Sequence, residues 1–301
     1  MYNVSKKSKI ATIIIIIFAI LVSIIANSNL SDGVKKYQRS LQNEIIKCSN
    51  NDINVDDYEE YCQKILKNNN VKVDTLTSFS NILIFQVKFL NPIAILLVLI
   101  PSLIEPIYIL KNKFLINSNN RIEYKYLLKL LLKRAYKYIW ILPLIGVILY
   151  VPTMFYSSLN PEYQVINGFT FWETNLIQKP LIFMILYSLN LLMYSIIFVN
   201  IGLISIKKSQ KYIASLIYTY IVYILIQLFF ELVINNYFLI SIFHSEIGYL
   251  FNIMNMFIFS DQFGLLYLLL FSFVILVISF ICLYFSYKDK EKLVISIEKN
   301  Y

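Results

Sequence analysis

The strongest constraint on this chain is a set of long, uncharged apolar runs. The first, "IATIIIIIFAILVSIIA" at residues 10–26, carries no ionisable side chain. Crossing the hydrocarbon core of a bilayer takes about 20 mostly apolar residues in a helix. Six stretches approach that length: Ile10–Ala26, Pro92–Leu110, Tyr138–Met154, Leu181–Ile206, Tyr212–Ile234 and Phe263–Ser286. Overall, 58% of residues are hydrophobic and 15% charged, where a soluble domain has about a quarter charged. The expectation is an all-α, polytopic integral membrane protein with six transmembrane helices, forming a single transmembrane domain over residues 1–301. Lys6, Lys7 and Lys9 precede the first run, as in a signal peptide. Its core is longer than a usual signal core and "ANSNLSDG" is a poor cleavage site, so a retained helix is expected.

The net charge of +9 reads as topology rather than nucleic-acid binding, because Lys and Arg gather in cytoplasmic loops. Lys111, Lys113, Arg121, Lys125, Lys129, Lys133, Arg134 and Lys137 follow the second run against one acid, Glu123. Lys207, Lys208 and Lys211 follow the fourth, and Lys288, Lys290, Lys292 and Lys299 follow the sixth. The intervening loops are neutral or acidic, with Glu162, Glu173, Glu246 and Asp261. Six spans place every basic segment on one side. A multi-pass protein of the plasma membrane with both termini cytoplasmic is therefore expected.

Residues 27–80 form the one sizeable external piece. "SDGVKKYQRSLQNEIIKC" and "DDYEEYCQKIL" read as two helices of an external hairpin, the second capped by Asp56 with Glu59 three residues on. Cys48 and Cys62 fall in these helices and are either a disulfide pair or two free thiols. Cys282 lies within the last run and is expected to be a small core residue. "DINVDD" starts like a calcium loop, but Asp57 stands where the loop needs glycine and Gln63 where it needs glutamate. It reads as a solvated acidic turn. The apolar segment 249–259 reads as interfacial packing.

The loop after the second run holds more information. In "RIEYKYLLKLLLKRAYK", Lys125, Lys129, Lys133 and Lys137 recur every four residues, with leucines filling the rest. This is an amphipathic helix at the membrane interface, within a cytoplasmic segment 111–137. A positive anchor alone would not call for a whole extra helix.

Several chemistries lack their residues. The single histidine, His244, excludes multi-histidine metal sites. No P-loop or G-x-S-x-G elbow occurs, and no metal or catalytic site is expected. Polar groups within the runs are Glu105, Asn190, Asn200, Gln227 and Glu231. Asn and Gln at such positions join helices. The relay of several acids or histidines of a proton-driven pump is missing. Glu105 lies six residues before Lys111, about 9 Å along a helix, so it sits near the expected cytoplasmic boundary. Pro101 and Pro106 loosen the helix around it. A pairing of Glu105 with a Lys or Arg of the following helix is expected, Arg121 being the residue for a charge swap.

The order Glu105, "INSNNR" ending at Arg121, Tyr124 or Tyr126, Lys129, then an amphipathic helix leading into the next span, resembles the ABC-2 family of ABC-transporter permeases. The likeness is densest over about residues 95–150 and elsewhere rests on topology. The glycine usual after the acidic residue in many members is replaced by Pro106. The resemblance implies a permease that dimerises with a second copy or a homologous subunit. It implies a cytoplasmic ABC ATPase as partner, carrying ATP and Mg, with no cofactor on this chain. It implies a coupling helix contacting that ATPase through Arg121, Tyr124, Leu127, Leu128, Lys129 and Leu131. Substrates in the family include drugs, peptides, lipids and glycans, so an exporter is expected. The alternative is a non-transporting immunity, sensor or accessory protein that binds a ligand through its external loop. An intramembrane enzyme is the least supported class.

Overall fold

The computed structural model describes residues 2–49, 62–63, 90–111, 124–156, 165–166, 169–170, 180–209, 211–242 and 265–288. Its elements are α1 (Tyr2–Ser49), α2 (Ala94–Lys111, entered through a 3-10 turn at Asn91–Ile93), α3 (Tyr124–Ala135), α4 (Ile141–Tyr156), α5 (Pro180–Ser209), α6 (Tyr212–Leu228) and α7 (Leu265–Tyr287). A 3-10 turn, Tyr136–Tyr138, joins α3 to α4, and α6 continues as a π-helix over Phe229–Ile242. The only strands among the described residues are β1 (Val165–Ile166) and β2 (Phe169–Thr170), paired antiparallel. Five helical stretches are long and apolar enough to cross a membrane: Val4–Asn29, Tyr124–Phe155, Leu181–Ser209, Tyr212–Ile234 and Leu269–Tyr287. Ala94–Leu110 is a shorter apolar helix. The chain is a multi-pass, helical membrane protein.

The polarity of the helices is inverted relative to a soluble bundle. In α6, Ser215, Thr219, Tyr223 and Gln227 are buried, while Ile213, Ile217, Ile221 and Leu225 are exposed. In α1, Ser8, Thr12, Ala19 and Ser23 face inward, and Ile13, Ile14, Ile17, Leu21 and Ile24 face outward. Apolar outward faces are stable only against lipid, and small or hydroxylated residues allow close helix approach. The core proper is aliphatic and aromatic, with Ile95, Leu99, Leu103, Tyr187 and Phe198 each almost wholly enclosed. Gly146 receives Leu191 and Tyr187 where any Cβ would collide with them, and Gly202 does the same for Leu99 and Leu103.

Contacts fix the helix directions. Tyr212 donates to the Ile100 carbonyl and Tyr220 to the Pro92 carbonyl, so α2 and α6 run antiparallel. Stacking of Tyr150 on Phe183, with Gly146 against Tyr187 and Leu191, sets α4 antiparallel to α5. Asn190 meets Ser272, Asn200 meets Ser279 and Lys207 meets the Ser286 carbonyl, so α5 and α7 run parallel. The C-terminal ends of α2, α5 and α7 thus gather at one end of the bundle. That end carries Arg134, Lys137, Lys207, Lys208 and Lys211 and is called the basic end below.

One expectation needs correction. The first apolar run lies within the span Val4–Asn29, but the separate external helix expected to begin near Ser31 does not form. Instead α1 is one helix of 48 residues, about 70 Å long. Its polar stretch "ANSNLSDG" holds no proline, and a single glycine costs only about 1 kcal/mol in a helix. Asn27 also donates to the Ser23 carbonyl one turn back, at 2.8 Å, so its side chain stays within the helical frame. The fifth span falls at Tyr212–Ile234, as expected, and helical structure continues beyond it to Ile242. Of the second hairpin helix only Cys62 and Gln63 lie within the described residues, both helical.

Candidate functional site: a carboxylate held at the basic end

Glu105 lies in α2 between two prolines, Pro101 and Pro106. Each proline removes one backbone donor from the helix ladder, and both are packed inside the bundle. Glu105 itself is 6% exposed. A buried carboxylate needs partners, and among the described residues it has two. Arg134 donates from Nη1 to Oε2 at 3.0 Å, and Lys137 donates from Nζ to Oε1 at 3.4 Å. Both cations come from the far end of α3 and the turn after it, and both keep more than a third of their side chains exposed. They reach water themselves while neutralising a group that cannot. A void of about 20 Å³ bounded by Val4, Glu105, Tyr108, Ile109 and Arg134 adjoins the pair, enough for one water molecule.

The expected pairing of Glu105 with a basic residue of the following helix therefore has a definite form. Its partners are Arg134 and Lys137. Arg121 lies outside the described residues. Sequence spacing could not choose among eight basic residues in one loop.

α3 is tied down at both ends. The Tyr124 hydroxyl donates to the Tyr287 carbonyl at 2.6 Å, and Lys207 donates to the carbonyl of Ser286. These are last-turn carbonyls of α7, which have no partner within their own helix. Tyr287 in turn donates to the Leu203 carbonyl of α5 at 2.6 Å. At the other end, the Tyr136 hydroxyl donates to Asn200 Oδ1, and Asn200 Nδ2 donates to Ser279 Oγ at 2.8 Å. One short helix is thus fastened to α2, α5 and α7. Between its contacts with Tyr287 and Phe280 it advances about 18 Å along its own axis but only about 10 Å along α7, so it lies oblique to the bundle.

The two faces of α3 differ sharply. Lys125, Tyr126, Lys129 and Lys133 are exposed. Leu127, Leu131 and Ala135 are buried, and Leu128 is half-buried. Leu127, at 4% exposure, and Leu131, at 1%, are packed into this chain's own core. Burying each contributes about 1.5–3 kcal/mol. Lys129 keeps its expected exposure. Tyr124 is half-buried and turned to α7.

The other candidate residues sit away from this corner. Asn190 accepts from Ser272 Oγ at 2.7 Å, so Asn190 and Asn200 both bond α5 to α7. Gln227 is buried in α6. Cys62 is disulfide-bonded, while the side chain of Cys48 lies outside the described ones. Cys282 corrects another expectation: it is an exposed free thiol on the outer face of α7 rather than a core residue. Among the described residues no group of His, Cys, Asp and Glu is arranged to hold a metal ion. Comparison with family models, characterised proteins and solved structures finds no match to this chain.

Proposed function

We propose that this chain is the membrane-spanning permease subunit of an ATP-driven ABC exporter. In this reading it has six spans, with α2 as the second despite its length, and both termini in the cytoplasm. It works in the plasma membrane as a dimer, beside a separate ATPase that binds ATP and Mg. The observation that carries the reading is α3. A coupling element must present a surface to its motor and hand force to several spans. α3 presents Lys125, Tyr126, Lys129 and Lys133 outward and is fastened to three helices of the bundle through Glu105, Asn200 and the end of α7. The sequence order Glu105, Arg121, Tyr124, Lys129 supports the same assignment. The transported molecule belongs to the peptide, drug or lipid-like class.

The test follows the outward face, since substitutions at Leu127 or Leu131 would damage the fold itself. Lys125, Lys129 and Lys133 are changed together to Glu in the full chain, co-expressed with its genomic neighbours. A P-loop ATPase should co-purify with the wild type in mild detergent and be lost from a variant that stays monodisperse. Purification without such an ATPase, or equal retention by the variant, overturns the proposal. A second reading, a non-transporting immunity or sensor protein, draws on α1, whose described side chains beyond Asn29 are exposed or half-exposed. It predicts ligand binding that truncation of α1 after Asn29 abolishes, with no ATPase bound.

A further inference from the structure

A cleft of about 340 Å³ runs between α3 and α7. Its inner part is apolar, formed by Leu131, Leu132, Phe280 and Leu283, and Lys125 and Lys288 also line it. Both lysines are exposed. Lys125 is in the first turn of α3 and Lys288 is the residue after α7, so the cations stand at the water boundary. Phe280 lies eight residues deeper in α7 than Lys288, about 12 Å into the apolar zone. The nearby Tyr124 and Tyr287 hydroxyls both donate to backbone carbonyls.

The lining selects an occupant. The cleft holds about 340 Å³ between apolar inner walls, which accept hydrocarbon at the ordinary carbon–carbon contact of about 3.5–4.0 Å. Two cations at the mouth select a negative headgroup. We propose that this cleft holds one acyl chain of an anionic phospholipid, with the lipid phosphate seated at Lys125 and Lys288. The site is independent of the permease reading. It would set the position of α3 by the lipid composition of the leaflet at the basic end.

The experiment is native mass spectrometry of the full chain in detergent, with phosphatidylglycerol or phosphatidylcholine of identical chains added at equal concentration. Each lysine beside an anionic headgroup contributes about five-fold in affinity, so the wild type should retain phosphatidylglycerol at least five-fold more strongly. Lys125→Gln with Lys288→Gln should bring the two lipids to parity. Phe280→Trp, at a side chain already 43% exposed, should lower retention of both. Glycerol phosphate at the same concentration should displace neither. Parity in the wild type, which needs no variant, overturns the proposal. So does an unchanged preference in the double variant, displacement by glycerol phosphate, or a Phe280→Trp protein that changes its oligomeric mass while keeping its lipid.

Discussion

Removing the cations around Glu105 should cost more than removing the acid. At 3.0 Å, an Arg–Glu pair attracts by roughly 5 kcal/mol at an effective dielectric of 20. Desolvation of the carboxylate takes back most of that, and Arg134 is 37% exposed, so the screened, surface-like limit applies to its half of the pair. A net coupling of about 1–2 kcal/mol remains. Arg134→Gln leaves an acid of 6% exposure with only Lys137 at 3.4 Å, and Arg134→Gln with Lys137→Gln leaves it none of these partners. Glu105→Gln instead leaves two cations that already reach water. The expected order of destabilisation is Glu105→Gln, then Arg134→Gln, then the Arg134→Gln, Lys137→Gln pair, the last at about 3 kcal/mol or more. Equilibrium unfolding in mixed detergent micelles, run as a double-mutant cycle between Glu105 and Arg134, measures both the order and the coupling. Additivity within about 0.5 kcal/mol, or Glu105→Gln proving the most damaging change, would refute the reasoning.

Two further outcomes test the packing of the spans. Gly146→Ala should destabilise by about 1–3 kcal/mol, since its Cβ would lie 2.4 Å from Leu191 Cδ1, and Leu191→Ala should relieve part of that loss in the same unfolding assay. Asn200→Leu should cost about 1–2 kcal/mol by removing the acceptor of the Tyr136 hydroxyl and the α5–α7 bond to Ser279, and Asn200→Leu with Tyr136→Phe should be less than additive.

Hydropathy alone delivered the membrane class, because the apolar runs are far longer than any soluble core segment requires. The four-residue spacing of Lys125, Lys129 and Lys133 likewise delivered the outward face of α3. Direction of burial was harder. In a soluble helix leucine marks the inside, but beside a bilayer Leu127 and Ile217 are equally content with protein or lipid, and only one of them is buried. The informative residues in α6 are the polar ones, Ser215, Thr219, Tyr223 and Gln227, whose four-residue spacing marks the protein-facing side. α1 runs unbroken through "ANSNLSDG" because, without proline, the combined cost of Asn, Ser, Asp and Gly is small beside forty-eight residues of helix. The choice of Arg134 and Lys137 as partners of Glu105 depends on how α3 folds back on α2, and nothing in the local sequence encodes that.

The inward polar stripe of α6 bears on how the chain enters a membrane in the first place. Alone in hydrocarbon, this helix would turn Ser215, Thr219 and Gln227 toward acyl chains. Paired with α5 it hides them, and the hydroxyls of Ser209 and Ser215 already meet at 2.6 Å across the turn. Only two residues separate the helices, so α6 cannot leave the translocation channel far from α5. The two should partition into lipid together as a preformed hairpin.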